Sequence, residues 1–300
     1  MRSRNRHLLV TFLVLALFGA TIGIRAVTEP KNDFRFSILG DRTGGAQPEI
    51  YGRIWREVDM LQPDFVINVG DTIQGKDEGR LVAEWTELKP LWQRYGRYPL
   101  YFTPGNHDIW NELSEQVYRE QTKYSPYYGF NFQEAHFTVL DNSRSTELTE
   151  DQLKFLESDL EANKDRRPKF IFFHKPYWIA FLKVGSSEFP LHQIARKHGV
   201  SYVISGHGHQ FVRMQREGIV YMEVGSSGGK MGGLTRGEGF AQGWFYHHVS
   251  ARVRGSKVEM MVKELDGPAG RGRMFKAEEW TEKGPKFDPE DPAQSENPPT

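Results

Sequence analysis

Short apolar runs recur along the chain, and most stop at a glycine or a polar residue. Phe34 to Leu39 predicts a strand closed by Gly40-Asp41. Ile50, Ile54, Val58 and Leu61 fall at helical spacing within Pro48 to Leu61. Asp64 to Val69 predicts a second strand, closed by Gly70-Asp71. Leu81 to Leu91 has a helical pattern, and Pro99 to Thr103 predicts a third strand, ending in Pro104-Gly105-Asn106-His107. Alternation of strand, loop and helix points to a largely parallel sheet.

The rhythm then changes. Tyr127 to Phe132 and His136 to Asp141 read as a meander. Thr149 to Asn163 reads as a helix, with Gln152 three residues after a Thr149 cap. Lys169 to Phe173 is an apolar strand ending at His174, and Leu191 to His198 is helical. Tyr202 to Ser205 is a strand ending in Gly206-His207-Gly208-His209. Further strands are expected at Phe211–Gln215, Ile219–Val224, Trp244–Val253 and Val258–Leu265. This is an α/β pattern of two packed mixed sheets with helices outside. One domain is expected over residues 33–266, followed by a disordered tail over 276–300.

The first 26 residues stand apart. Arg2, Arg4 and Arg6 precede an apolar run from Leu8 to Ile24. That pattern is a signal peptide or an N-terminal membrane anchor over residues 1–26. It predicts an extracytoplasmic protein: secreted, periplasmic, or tethered through residues 8–24 to the outer side of the cytoplasmic membrane.

Charge and composition narrow the chemistry. Lysine plus arginine total 39 and aspartate plus glutamate total 39, so the net charge is zero. Strong nucleic-acid binding is not expected, which counts against a nuclease. There is no cysteine, so a metal must be held by Asp, Asn, Glu or His.

Five apolar strands each end in a side chain able to bind metal: Asp41, Asp71, Asn106, His174, and His207 with His209. Sites in open α/β sheets gather beyond the carboxyl ends of strands. Carboxylates, an amide and imidazoles suit a pair of cations that hold a hydroxide and polarise a phosphoryl oxygen. The Gly-His-Gly-His run is the sharpest local signal, because alternate side chains of an extended chain share a face. A Gly-Asp turn or a lone strand-end histidine means little alone; the ordered set means more. Arg42 is a candidate for a substrate phosphate, with Lys175 and Arg144 as weaker ones. Gly225 to Gly233 departs from the Walker pattern and reads as a mobile loop near the site. Trp110, Tyr118, Tyr124, Tyr127 and Tyr128 read as a pocket wall or as core. His136, His192, His247 and His248 are given no role.

Gly40-Asp41, Gly70-Asp71, Gly105-Asn106-His107-Asp108, His174 and Gly206-His207-Gly208-His209 resemble the ordered signature of calcineurin-like metallophosphoesterases. His174-Lys175-Pro176 and Ser125 to Tyr128 resemble purple-acid-phosphatase-type members. The resemblance implies a four-layer αββα sandwich and a dinuclear site of divalent or trivalent Mn, Fe or Zn. It implies that Asp71 bridges both ions, Asp41 and His209 hold the first, and Asn106, His174 and His207 hold the second. His107 is then the acid or charge stabiliser near the leaving group and Asp108 orients it, with Asn106 and His107 against substrate; Arg42 joins them as the candidate read from its place between Asp41 and Thr43, with a surface salt bridge as its alternative. The implied reaction is hydrolysis of phosphomonoesters or phosphodiesters. One position departs from the family pattern: Thr43 stands where a histidine is usual. That keeps a second reading open, a non-catalytic or weakly metal-occupied binding module on the same fold.

Overall fold

The computed structural model describes residues 32–47, 49–231, 238–265, 272–289 and 291; the leader and the possible tether lie outside them. In chain order the elements are β1 (Asp33–Leu39), α1 (Ile50–Leu61), β2 (Phe65–Asn68), α2 (Leu81–Arg94), β3 (Leu100–Tyr101), α3 (Glu112–Thr122), β4 (Tyr128–Phe132) and β5 (Ala135–Val139). There follow α4 (Glu150–Ala162), β6 (Lys169–Phe172), α5 (Trp178–Lys183), α6 (Pro190–Lys197), β7 (Tyr202–Ser205), β8 (Phe211–Arg216), β9 (Ile219–Val224), α7 (Glu238–Ala241), β10 (His247–Arg254), β11 (Lys257–Glu264) and β12 (Met274–Lys276). Among the described residues, no helix is long and apolar enough to cross a membrane.

Two six-stranded sheets form, in the orders β12-β11-β10-β1-β2-β3 and β4-β5-β6-β7-β9-β8. Both are mixed. β1, β2 and β3 run parallel, while β10 lies antiparallel to β1. β5, β6, β7 and β9 run parallel, flanked by antiparallel β4 and β8. The expected two-sheet α/β sandwich is therefore present.

Strands covered on both faces read as near-continuous apolar runs, and Phe170 to Phe173, from β6 onward, show why. Phe170 and Phe172 point between the sheets, where they meet Phe36, Phe65, Phe137 and Ile204. Ile171 and Phe173 point the other way, onto Leu156, Leu160, Trp178 and Leu191 from the helices α4, α5 and α6. On the opposite side α1 packs Ile54, Trp55 and Val58 beside Leu39 and Val66. α2 and α3 pack Trp85 and Tyr118 around Phe102. Helix, sheet, sheet, helix: the layers follow from which sides of the strands are apolar. Truncating a central ring such as Phe137 to alanine removes about 3–5 kcal/mol.

Helices α3 and α5 fall in stretches where the apolar pattern predicts no element. α3 is announced by Asn111, whose side chain accepts from the Ser114 amide at 2.8 Å. α2 runs through Pro90 to Arg94. Thr149 caps α4 as expected, accepting from the Gln152 amide at 3.4 Å.

The expected disordered tail needs correction as far as residue 289. Met274–Lys276 adds an edge strand beside β11. Trp280 is only 2% exposed and packs with Phe211, Phe240, Phe245 and Phe275. The tail's polar composition hid two anchors, Trp280 and Phe287, whose burial offsets the cost of ordering it. Residues 292–300 lie outside the described residues.

Candidate metal centre

The carboxyl ends of β1, β2, β3, β6 and β7 converge on one edge of the sandwich. Each strand is a rigid mount, and the residue beyond its end carries the chemistry. Close approach is enforced by glycine. A Cβ at Gly105 would lie 2.2 Å from the Asp71 amide and carboxylate, and one at Gly206 would lie 2.3 Å from Asp41 Oδ1. Side chains at these two positions would drive the ligands apart.

Asp71, His174 and His207 place ligand atoms within 4.8 Å of one another, and so do Asp41, Asp71 and His209. Asp71 is common to both groups. Its backbone sits at φ 53°, an uncommon left-handed conformation for a side-chain-bearing residue. This turn lets one carboxylate oxygen accept from the His107 amide at 2.9 Å while the other lies 3.2 Å from His174 Nε2.

The imidazoles are oriented from behind. His174 Nδ1 lies 2.8 Å from the Val69 carbonyl, which fixes the proton there and turns Nε2 inward. Around that Nε2 stand Asn106 Oδ1 at 3.1 Å, Asp71 Oδ2 at 3.2 Å and His207 Nδ1 at 3.2 Å. His209 Nδ1 lies 2.5 Å from the Lys230 carbonyl, leaving Nε2 3.3 Å from Asp41 Oδ2. Acceptor atoms facing one another this closely repel unless a proton or cation stands among them. Two carboxylates, one amide and three imidazoles fit cations of the Mn, Fe or Zn type.

The electrostatics agree. Burial pushes the Asp71 carboxyl up, but His174 outweighs it and holds it below the usual range. Burial pushes Asp41 up, against the pull of His209. Burial lowers His174 and His209, yet their carboxylate neighbours win and raise each to about 9. Burial, and next the charge of His174, lower His207 to about 4.

A model of the calcineurin-like phosphoesterase family matches residues 34–211, more than half of the chain. The chain belongs to that family. That membership supports metal-dependent hydrolysis of phosphoester bonds. Comparison with curated protein sequences gives no match. Among solved structures, purple acid phosphatase PPD1 from yellow lupin (Lupinus luteus) seeds is similar with a TM-score of 0.61 at 14% identity. The match covers 82% of this chain and 54% of that one, so this chain spans about half the lupin protein. GAP50, the anchor in the inner membrane complex of Plasmodium, is similar with a TM-score of 0.58 at 16% identity, covering 81% and 88%. A dimetal phosphatase from Danio rerio is similar with a TM-score of 0.52 at 14% identity, covering 79% and 96%. At these identities the likeness concerns the fold.

Within this phosphoesterase site, several residues sit otherwise than their sequence predicts. His207 and His209 are not in extended chain. Their φ values are 77° and 56°, so each turns to a different metal group and they share no strand face. Asp108 does not orient His107. It is buried, and its oxygens accept from the amides of Thr72, Ile73 and Gly105 at 2.8, 3.1 and 2.9 Å. Three amides reach it because the β2 and β3 loops cross there, so Asp108 ties the two ligand-bearing loops together. Its carboxyl is raised by burial, then by Asp71, to about 7. The imidazole of His107 is held instead through Nδ1 by the carbonyl of Gln74, which leaves Nε2 for the site.

Arg42 donates to the Thr72 carbonyl at 3.0 Å and lies 6.0 Å from the Tyr51 ring. It lines a separate depression of about 290 Å³ with Glu49 and Glu87, away from Asn106 and His207. Thr43 is fully buried, and its hydroxyl donates to Gln74 Oε1 at 2.5 Å. Gln74 therefore touches both the Thr43 position and His107, and nothing in its sequence neighbourhood announced it. The described part of the glycine-rich loop is not mobile in character. Gly225 to Gly229 are buried, Ser226 bridges to Asp41, and the Ser227 hydroxyl accepts from the Gly40 amide at 2.8 Å. The loop is the floor under Asp41; residues 232–237 lie outside the described residues.

The remaining histidines have structural partners. His136 lies 2.8 Å from Asp159, His192 2.8 Å from the Tyr221 hydroxyl, and His248 3.2 Å from Glu57. His247 Nδ1 meets the Phe245 carbonyl at 2.7 Å. Of the aromatic candidates, Trp110 lines the main cleft, joined by Tyr177. Tyr118 is core, donating to the Phe102 carbonyl at 3.1 Å.

Proposed function

We propose that the chain hydrolyses phosphomonoesters or phosphodiesters at a dinuclear centre of Mn, Fe or Zn, with Asp71 shared by both ions. The observation that carries this reading is the membership of Asp71 in both ligand groups. Asn106, His174 and His207 complete one half; Asp41 and His209 complete the other. Bound there, two cations supply Lewis acidity toward phosphoryl oxygens and acidify water.

The protein's own groups do the rest. Asp71 and Asp41 balance cationic charge in a buried setting where electrostatic interactions are strong. The Val69 and Lys230 carbonyls keep the His174 and His209 tautomers fixed. His107, anchored through Nδ1 to Gln74, presents Nε2 as the group that delivers a proton to the leaving oxygen. The test is hydrolysis of an aryl phosphomonoester and an aryl phosphodiester by Mn-, Fe- or Zn-loaded protein. Turnover that vanishes in Asp71→Ala supports the reading. A wild type as inert as the variant with every metal contradicts it.

Thr43 favours a second reading. Its hydroxyl is bonded to Gln74 and adds a weak donor at best, so the Asp41 half has fewer strong ligands. A weakly occupied centre would make the chain a binding module, a use in keeping with the role of the similar GAP50 as an anchor. Elemental analysis separates the two: about two ions per chain with turnover, against one or none without it.

The basic, apolar leader supports an extracytoplasmic location, secreted, periplasmic or tethered outside the membrane. Fractionation of the native host should place the protein in an exported or membrane fraction; recovery in the soluble cytosol would reject this.

A further inference from the structure

We propose that the substrate carries a second anionic group, a phosphate or carboxylate, on its leaving-group side, held by Lys76 and Lys175. This rests on the phosphoesterase reading above and adds the substrate class. A cleft of about 670 Å³ opens from Asn106 and His207, and Trp110 and Tyr177 wall it. The metal groups occupy one end and can engage one phosphoryl group. The rest of the cleft is left for what that phosphoryl group is attached to.

The charges lining this space are of one sign. Lys76, Lys175 and Arg144 face it, and no carboxylate lines it. Arg144 is paired with Glu115, so its charge is largely answered. The two lysines are not answered in that way. Lys175 Nζ is fixed by the carbonyls of Ser143 and Ser145 at 2.8 and 2.9 Å. Those bonds use two of three N–H donors and leave one for a ligand. They also hold the ammonium by the 143–145 loop.

Lys76 is placed by its backbone. It follows Gly75, at φ 61°, where a Cβ would lie 1.8 Å from the His107 carbonyl. Lys76 itself is at φ 67°, a conformation that costs a side-chain-bearing residue energy. Its ammonium stands 5.7 Å from the Trp110 ring, and it has no carboxylate partner among the described residues. Two ammoniums facing one cleft repel. An anion between them relieves the repulsion and gains two attractions. Arg42, which sequence alone offered for phosphate, lines the other depression and does not compete for this place.

The test uses three aryl substrates with leaving groups of similar acidity: phenyl phosphate, 3-carboxyphenyl phosphate and 1,3-phenylene bisphosphate. Each is offered as the monoester and as its methyl diester to metal-loaded protein at low ionic strength. The expected result is a preference in kcat/KM of roughly tenfold for at least one anionic substrate over phenyl phosphate, about what two partly exposed ion pairs supply. Which arm leads separates a carboxylate from a phosphate. Salt should shrink the preference. Lys76→Asn, which keeps a left-handed backbone readily, should reduce it to less than about threefold with Tm unchanged. Equal kcat/KM on all three, or a preference intact in Lys76→Asn, overturns the proposal while the hydrolase reading stands. No hydrolysis of any substrate removes the hydrolase reading, and this proposal with it.

Discussion

The two halves of the centre share Asp71 but are built differently. Around His174 Nε2, three further donors from three separate loops lie within 3.2 Å. The Asp41 half offers Asp41, Asp71 and His209, and at the fourth place a threonine bonded to glutamine. The backing is comparable, since each half has a histidine held by a carbonyl. What differs is donor count, so affinity should differ while geometry does not. A family site can keep its frame and lose strength on one side through one residue.

The largest effect tests the shared residue. Asp71→Ala should remove both ions and lower turnover by about a thousandfold or more, because both cations lose an anionic ligand. Elemental analysis beside an aryl phosphate assay checks it; one ion retained at full strength would break the idea of a shared ligand. Next, His209→Ala and His174→Ala should differ. The first should leave one ion bound at the His174 half, whereas the second should weaken the tighter site by at least ~100-fold. Calorimetric titration with Zn²⁺ reads both, and equal losses would erase the asymmetry.

pH sharpens the same contrast in the metal-free protein. His174 and His209 are raised to about 9 in the fold, above the ordinary value of 6.5. Raised bases contribute stability fully below pH 6.5 and lose it as pH rises through 9. Glu223, raised to about 8 by burial and then by Asp41, works in the same direction, since a buried acid held protonated loses stability on ionising. Tm in chelator should therefore fall between pH 6.5 and 9, and Zn²⁺ uptake at pH 7.5 should release protons from both histidines. A flat Tm across that window would contradict the assignment. The smallest effect is expected from Thr43→Val. Losing one neutral hydroxyl bond costs about 1 kcal/mol of stability, and ion affinity at the Asp41 half should shift only a few-fold; a large loss would make Thr43 a ligand.

Much of this was legible before the fold. The strand-end ligands Asp41, Asp71, Asn106, His174, His207 and His209 each follow an apolar run, so local pattern locates them. The two sheets follow from strands such as β6, where Phe170, Ile171 and Phe172 are apolar at successive positions because both faces are covered. Other features depend on contacts between distant segments. Gln74 looks like any loop glutamine until the fold brings Thr43 and His107 against it. Asp108 looked like a partner of its neighbour, but the crossing of two loops gives it three amides. Trp280 sits in a polar stretch whose composition outweighed one buried ring. Left-handed backbone at His207 and His209 has no side-chain signature at all.

The central claim is that two cations sit on either side of Asp71. Anomalous scattering from crystals grown with Zn²⁺ tests it most directly. The account predicts two peaks, one among Asp71, Asn106, His174 and His207 and a weaker one among Asp41, Asp71 and His209. A single peak that leaves Asp71 uncoordinated, or none within reach of these residues, would contradict it.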